Sequence, residues 1–466
     1  MEPVAAPPAR PYDRRAVWGW AMYDFANSAF TTLVVTFIYG TYFTGYMALV
    51  PDVTGARVPD PELGTVLWSR GVTLTAILVA LLSPLLGALA DRGGARKRFL
   101  LATTALCVVG TAALYFAEPG EVMQALAWFV VANVAFEMGA VFYNAYLPDI
   151  APQAVIGRVS GYGWALGYAG GLLCLAAALV FFVQPEVPPF GLDRAAGEHV
   201  RATNLLVAGW FALFAVPTFL FLKEGRAAEP VPARRLLRES VRQLVETGRE
   251  LRRYRQIVRL LVARLFYNDG LVTLIAFGGI YAQGTLGFTI EEVLLFGIVL
   301  NVTAGLGAFA FGFLDDRLGG RFVIFVSLAL LTVAAVIAVL TSDKGVFWIS
   351  GVLVGIAIGP NQAASRSLLG RFVPDDKEAE FYGFFAFSGK ATAFVGPFLL
   401  GVLTDAFGTQ RAGVSIVIVL FVVGALLLGR LDEAEGIRRS GRAAVDPTVA
   451  DELREREGHA RRTKGE

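Results

Sequence analysis

"GALADRGGARKRF" (Gly87–Phe99) returns as "GFLDDRLGGRFVIF" (Gly312–Phe325), 225 residues further on. At nearly the same offset, "LPDIAPQAVIGRVSGYG" (Leu147–Gly163) aligns with "VPDDKEAEFYGFFAFSG" (Val373–Gly389). That alignment pairs Pro148 with Pro374, Asp149 with Asp375, Gly157 with Gly383, Gly163 with Gly389 and, beyond it, Gly170 with Gly396. "YDFANSAFTTLVVTFIYG" (Tyr23–Gly40) resembles "FYNDGLVTLIAFGGIYA" (Phe266–Ala282) at an offset nearer 241, and a longer loop after the first copy accounts for the difference. Self-similarity in one order over half the length means two equivalent halves in the same orientation.

Of the 466 residues, 55% are hydrophobic and only 17% charged. A soluble domain carries about a quarter charged residues, so this chain is polytopic in a membrane. Apolar runs long enough to cross a bilayer cover 17–43, 63–90, 99–117, 122–147, 159–183, 202–222, 258–284, 291–314, 322–341, 346–369, 381–404 and 411–431. The expectation is an all-α protein of twelve transmembrane helices in two six-helix parallel repeats. It divides into an N-terminal half (1–222), a basic linker (223–257), a C-terminal half (258–431) and a charged tail (432–466).

The turns at 91–98, 149–158, 315–321 and 370–380, the N-terminal segment and the linker carry about two dozen Lys and Arg, against a handful in the opposite loops. That bias places both termini in the cytoplasm. The arginines near the N-terminus run straight into a long apolar helix, so the first span reads as retained and not as a signal peptide. In the linker, "RRLLRESVRQLVETGRELRRY" (Arg234–Tyr254) aligns Leu237, Val241, Leu244, Val245 and Leu251 on one helical face among arginines. This suits either a helix on an anionic leaflet or a plain spacer. The tail from Asp432 reads as a solvated extension.

Two isolated cysteines (Cys107, Cys174) and two distant histidines (His199, His459) offer neither a disulfide nor a metal cluster. No nucleotide-binding fingerprint is present, so ATP is not the direct energy source. No cofactor, no nucleic acid and no enzymatic chemistry is expected.

The repeated Gly-x-Leu-x-Asp-Arg turn resembles the signature of the major facilitator superfamily. More narrowly, "YDFANSAF", "YNAYLPDIAP", "GRVSGYGWALGYAGG", "LFYNDG" and "EFYGFFAFSGKATAFVGP" are similar to the branch holding the autophagy-related vacuolar amino-acid effluxers and their bacterial relatives. The resemblance implies amino-acid efflux, so the expectation is a secondary transporter of a small polar solute, an amino acid, by alternating access in a bacterial cytoplasmic membrane; burial of a carboxyl makes protons the expected coupling ion. Export of another small molecule or drug, and a transporter-like receptor or scaffold without flux, are the alternatives. The resemblance also implies a latch between the halves at Gly87, Asp91, Arg92 and Arg96, with Asp316 and Arg317 as weaker counterparts because the second copy lacks the basic run. "GWALGYAGG" (Gly163–Gly171) resembles the fifth-helix motif of superfamily antiporters but has Tyr168 where proline is expected, and reads as a packing surface.

Ionisable groups inside the spans are Asp24, Arg70, Glu137, Arg264, Asp269, Arg366 and Lys390. The resemblance makes the first, fourth, seventh and tenth helices cavity-lining, and five of these seven fall there. Intramembrane charges mark wet or paired sites. At 1.5 Å per residue Asp24 lies about 10 Å deep, Asp269 about 16 Å and Lys390 about 14 Å. Arg366 and Arg70 sit nearer the ends and can snorkel. Asn27, Asn144 and Asn268 add uncharged partners. For a zwitterion, Asp24, Glu137 or Asp269 suits the amine, and Arg264, Arg366 or Lys390 the carboxylate. Burial disfavours a charged carboxyl. Glu137, then Asp24, is the first choice of proton carrier; Asp24 with Asn27 as a purely structural tie is the competing reading.

Overall fold

The computed structural model describes residues 13–51, 54, 56–224, 233–250 and 253–441. Its architecture is helical, built from α1 (Arg14–Ala29), α2 (Pro61–Gly93), α3 (Arg96–Ala113), α4 (Val122–Asn144), α5 (Ile156–Ala178) and α6 (Thr203–Phe221) in the first half. The second half holds α7 (Arg255–Leu286), α8 (Ile290–Leu318), α9 (Gly320–Leu340), α10 (Lys344–Phe372), α11 (Glu378–Lys390), α12 (Val395–Phe407) and α13 (Gln410–Leu428). A linker helix (Ala233–Arg249) and a tail helix (Glu433–Ser440) lie at the end of the bundle where α1 begins. We call this the linker end. A short hairpin pairs β1 (Leu49–Pro51) with β2 (Arg57–Pro59) at the opposite end.

Among the described residues, eleven helices are long and apolar enough to cross a membrane. The expected first span is not one regular helix. Beyond α1 it runs through a π-helical stretch, Phe30–Phe37, where Ile38 N–H donates to Leu33 O and Thr36 Oγ1 donates to Thr31 O. Hydroxyls that bond back to the preceding turn bend helices at such points. The expected span 381–404 is also interrupted, by a turn at residues 391–394 between α11 and α12.

Sequence explains where the regular helices stop and start. Asp60 caps α2 with Pro61 at the first helical position. Gly287 ends α7 at φ 68, in the left-handed region, and Thr289 and Glu292 form a capping box two residues later. Of the eleven spans, α10 and α4 are the most buried, which puts them at the centre.

The halves meet through repeat-equivalent pairs, α2 on α11 and α5 on α8. A side chain at Gly87 would run into the Ala379 carbonyl, so only glycine permits that approach. The glycines of "GWALGYAGG" pack on α1, Gly163 against Asp24 and Trp20 and Gly167 against Ser28. The packing reading of that motif therefore holds.

The expected tail needs correction. The tail is not wholly solvated: Gly436, Ile437 and Ser440 are buried, and Glu433 accepts from the N–H groups of Gly320 and Arg321 at 3.1 Å each. The linker helix buries a polar stripe, Ser240, Gln243 and Thr247, while Val241 and Val245 stay exposed. Leu251 and the Leu237 side chain lie outside the described residues. The polar stripe wins the protein side because it meets charged groups there.

Candidate functional site

At the linker end the repeated motif is used twice, reciprocally. Asp91, at the end of α2, accepts from the N–H groups of Ala379 (3.1 Å) and Glu380 (2.8 Å), the first turn of α11 in the other half. Asp316, at the end of α8, accepts from Gly157 (2.8 Å) and Arg158 (3.2 Å), the first turn of α5. Each carboxylate satisfies orphan donors and meets the positive end of a helix dipole across the interface.

An arginine hub backs each copy. Arg96 pairs with Asp91 (2.8 Å), Asp149 (2.9 Å) and Glu378. Arg371 pairs with Asp315 (2.5 Å), Glu433 (3.6 Å) and Asp316 (3.9 Å), and Arg158 binds Asp316 at 2.5 Å. Burial pushes the Glu433 carboxyl above its ordinary range, opposed by Arg371. The second copy is thus as engaged as the first, contrary to the expectation that its missing basic run weakens it. Its cations come from Arg158 and Arg371, and Arg317 points outward, exposed. Arg92 donates to Gln243 of the linker helix (2.5 Å), Gln243 donates to Glu380, and Lys377 donates to Thr247 (3.0 Å).

Deeper in, Arg366 does not snorkel. It is buried and donates to Asp24 (2.9 Å), Asn144 (3.2 Å), the Ser160 hydroxyl (2.9 Å) and the Ser160 carbonyl (2.7 Å). The Trp20 ring lies 4.7 Å below the guanidinium. Asp24 is therefore an ion-pair member between halves, and Asn27, also buried, stands one turn beyond it. Lys390 and Glu137 form a second inter-half pair at 2.6 Å, with side chains 33% and 20% exposed. Asp24 and Arg366 are 13% and 4% exposed, so the Glu137–Lys390 pair is the more exposed of the two. Tyr168 donates to Gln362 at a similar depth (3.1 Å).

Arg264, Asn268 and Asp269 are brought together, but against the broken helix. Arg264 donates to Phe385 O (2.7 Å) and Ser388 Oγ (3.0 Å), and Asn268 to Gly389 O (3.1 Å). Asp269 accepts from Gly396 N–H (2.9 Å), and Leu265 O accepts from Thr392 Oγ1 (2.8 Å). One face of α7 thus satisfies the backbone groups that the break exposes, the condition for irregular backbone within a membrane.

A cavity of about 270 Å³ lies further toward the opposite end, between α7, α8 and α10, with Phe37 and Tyr168 from the first half. Its lining is mostly apolar, with Thr36, Thr273, Asn301 and Ser350 as polar points. None of the expected site residues lines it. Every inter-half bond named above lies at mid-depth or closer to the linker end, so the linker end is shut.

Sequence reading missed Glu378, Glu380, Arg371, Asp315, Ser160 and Gln243. The first two stand in the repeated segment 373–389, immediately before an apolar run, which is where a helix-start acid belongs. Ser160 and Gln243 carry no local signal.

A family model described as "Vacuole effluxer Atg22 like" matches residues 66–441. An uncharacterised MFS-type transporter of Bacillus subtilis (strain 168), YxiO, is 28% identical over 407 residues, covering 87% of this chain and 92% of that protein. Autophagy-related protein 22 of Coccidioides immitis (strain RS) is 22% identical over 448 residues, 80% of this chain and 72% of that one. Among solved structures, the human organic anion transporter MFSD10 (TETRAN) superposes with TM-score 0.67 at 15% identity, over 90% of this chain and all of that one. The transporter FucP in its outward conformation superposes with TM-score 0.68 at 13% identity, over 90% of this chain and 98% of that one.

Proposed function

This chain belongs to the vacuole effluxer Atg22-like family and is an integral membrane transporter of the major facilitator fold; we propose that its cargo is an amino acid, moved by alternating access and coupled to protons. The observation that carries the reading is the Glu137–Lys390 pair. It joins the halves at mid-depth, is partly exposed, and offers one anion and one cation at 2.6 Å. A zwitterion inserts its ammonium at Glu137 and its carboxylate at Lys390, replacing the direct inter-half bond with bonds through itself. Binding energy is then tied to the relative position of the halves, as rocking around a central site requires.

The positive-inside bias supports a cytoplasmic linker end in a bacterial cytoplasmic membrane, with both termini on that side. With that end shut, the molecule faces outward. Asp91, Arg92, Arg96, Asp316 and Gly87 then act as the latch, the linker helix as its brace, and residues 1–222 and 258–431 as the rocking halves. The family description supports efflux as the working direction. A second reading, export of a less polar small molecule, is favoured by the apolar lining of the 270 Å³ cavity.

Radiolabelled amino-acid counterflow in proteoliposomes under an imposed proton gradient tests the proposal. Wild type is expected to accumulate label in response to the gradient. Glu137→Gln is expected to raise the half-saturating concentration at least tenfold, a charge-assisted bond being worth about 1.5–3 kcal/mol. Flux of no amino acid in wild type would remove the cargo assignment and leave the family membership standing.

A further inference from the structure

Three acids, Asp24, Glu137 and Asp269, lie well inside the spans, away from their ends, and two of them have cations. Asp24 holds Arg366 and Glu137 holds Lys390. Asp269 does not. It is 2% exposed, its Oδ2 accepts only from Gly396 N–H at the start of α12, and its Oδ1 has no hydrogen-bond partner. An isolated carboxylate at this depth is costly in its charged form.

The charged groups around it are committed elsewhere. On α7, Arg264 is held by Phe385 O and Ser388, and Tyr267 by Ser365. On α11, Lys390 serves Glu137, and on α10, Arg366 serves Asp24. From α12 the Gly396 N–H meets it, and α13 brings the uncharged Leu420 side chain to the same glycine. Asp405 and Arg411 stand at the far ends of those two helices.

A second oxygen fronts the same space as Oδ1, without a hydrogen bond to it. A side chain at Gly396 would strike Thr273 Oγ1 and lie 3.2 Å from Asp269 Oδ1, so both atoms front the space that glycine leaves empty. Thr273 Oγ1 donates its own hydrogen to Asp269 O (2.8 Å), which leaves its lone pairs to accept. Thr273 also lines the cavity on the side of the opposite end. The Thr273 hydroxyl thus stands between the space beside an unpartnered buried acid and a cavity.

We propose that Asp269 is the site at which the coupling proton binds, carried on Oδ1 and donated to Thr273 Oγ1, at the break between α11 and α12. One oxygen of the acid keeps the cap on α12 in either state while the other takes up or gives off the proton. Protonation removes the charge that Asp269 brings to the break, and deprotonation restores an anion at the positive end of α12. The charge state of the broken helix is thereby linked to the proton supply of the cavity. A proton needs only the one acceptor found here. The proposal rests on proton-coupled transport, but its site test does not need the solute.

Infrared difference spectra of the reconstituted full chain, taken as pH is raised, read the carbonyl stretch of a protonated carboxyl directly. Wild type is expected to lose such a band on raising the pH. Asp269→Asn is expected to lack it, while Asp24→Asn and Glu137→Gln keep it. Thr273→Val, a milder change, is expected to lower the midpoint by roughly half to one pH unit, the worth of one neutral hydrogen bond to the protonated form. A band that survives in Asp269→Asn, or its absence from wild type, overturns the proposal. So does a band erased by sodium chloride at constant pH but not by choline chloride, since that would make this a sodium site. Should Asp269→Asn fail to reconstitute, an unmoved midpoint in Thr273→Val is the overturning result. Failed amino-acid counterflow with a normal infrared titration would sink the cargo reading and leave the proton site intact.

Discussion

Replacing Arg366 by alanine tests how tightly charge pairing controls the closed linker end. Arg366 and Asp24 lie on α10 and α1, one in each half, 2.9 Å apart and largely buried. Without the guanidinium, Asp24 retains its burial only while the linker end stays shut; opening hydrates it. Leaving one member of a buried pair alone costs about 3–5 kcal/mol. Asp24 keeps some contact with water, so we take the lower bound of about 3 kcal/mol, a shift of roughly a hundredfold toward the open linker end. The double variant Asp24→Asn/Arg366→Met removes both charges and should return the equilibrium to within about 1 kcal/mol of wild type, because a pair and an apolar replacement nearly break even. Spin labels at Arg98→Cys and Arg317→Cys, both exposed on the linker end, report the separation of the halves. The background replaces the two buried cysteines, Cys107 and Cys174, by alanine. The reasoning fails if Arg366→Ala gives the wild-type distance distribution, or if the double variant is displaced as far as the single one.

Two further outcomes follow from the linker end. Gln243→Leu removes the bridge between Arg92 and Glu380 and leaves a buried acid short of a donor, for a loss of about 1–3 kcal/mol in docking of the linker helix; faster proteolysis within the helix is the readout, and an unchanged rate would remove its role as a brace. Glu433 has its carboxyl held above the ordinary range by burial, so the folded state binds the proton more tightly than the unfolded one. Stability of tail docking should then fall as pH rises from the ordinary carboxylate range through the raised value, and level off above it. Glu433→Gln should abolish that slope in thermal unfolding followed across pH; a slope retained in the variant would count against the assignment.

Much of the architecture was legible in the chain because bilayer thickness and hydropathy act locally. Apolar runs of spanning length, Pro61 after Asp60, Thr289 three residues before Glu292 and the two copies of the Asp-Arg turn each declare themselves within a few residues. Glycine at 87, 163 and 167 likewise announced close packing without naming the partner. The interruption at 391–394 carries no proline, and its backbone is satisfied by Arg264, Asn268 and Asp269, more than a hundred residues earlier. No local pattern shows that.

The same limit governed the charges. Composition and position told that Asp24, Glu137, Asp269, Arg366 and Lys390 needed partners, since hydrocarbon forbids lone ions. Which acid meets which base depends on helix rotations and on the docking of two halves, and these arise from contacts summed over whole helix faces. So the sequence by itself determined eleven of the expected spans, the repeat and the inventory of intramembrane charge. Only the tertiary structure decided that Arg366 belongs to Asp24, that Lys390 belongs to Glu137, and that Asp269 stands without a cation.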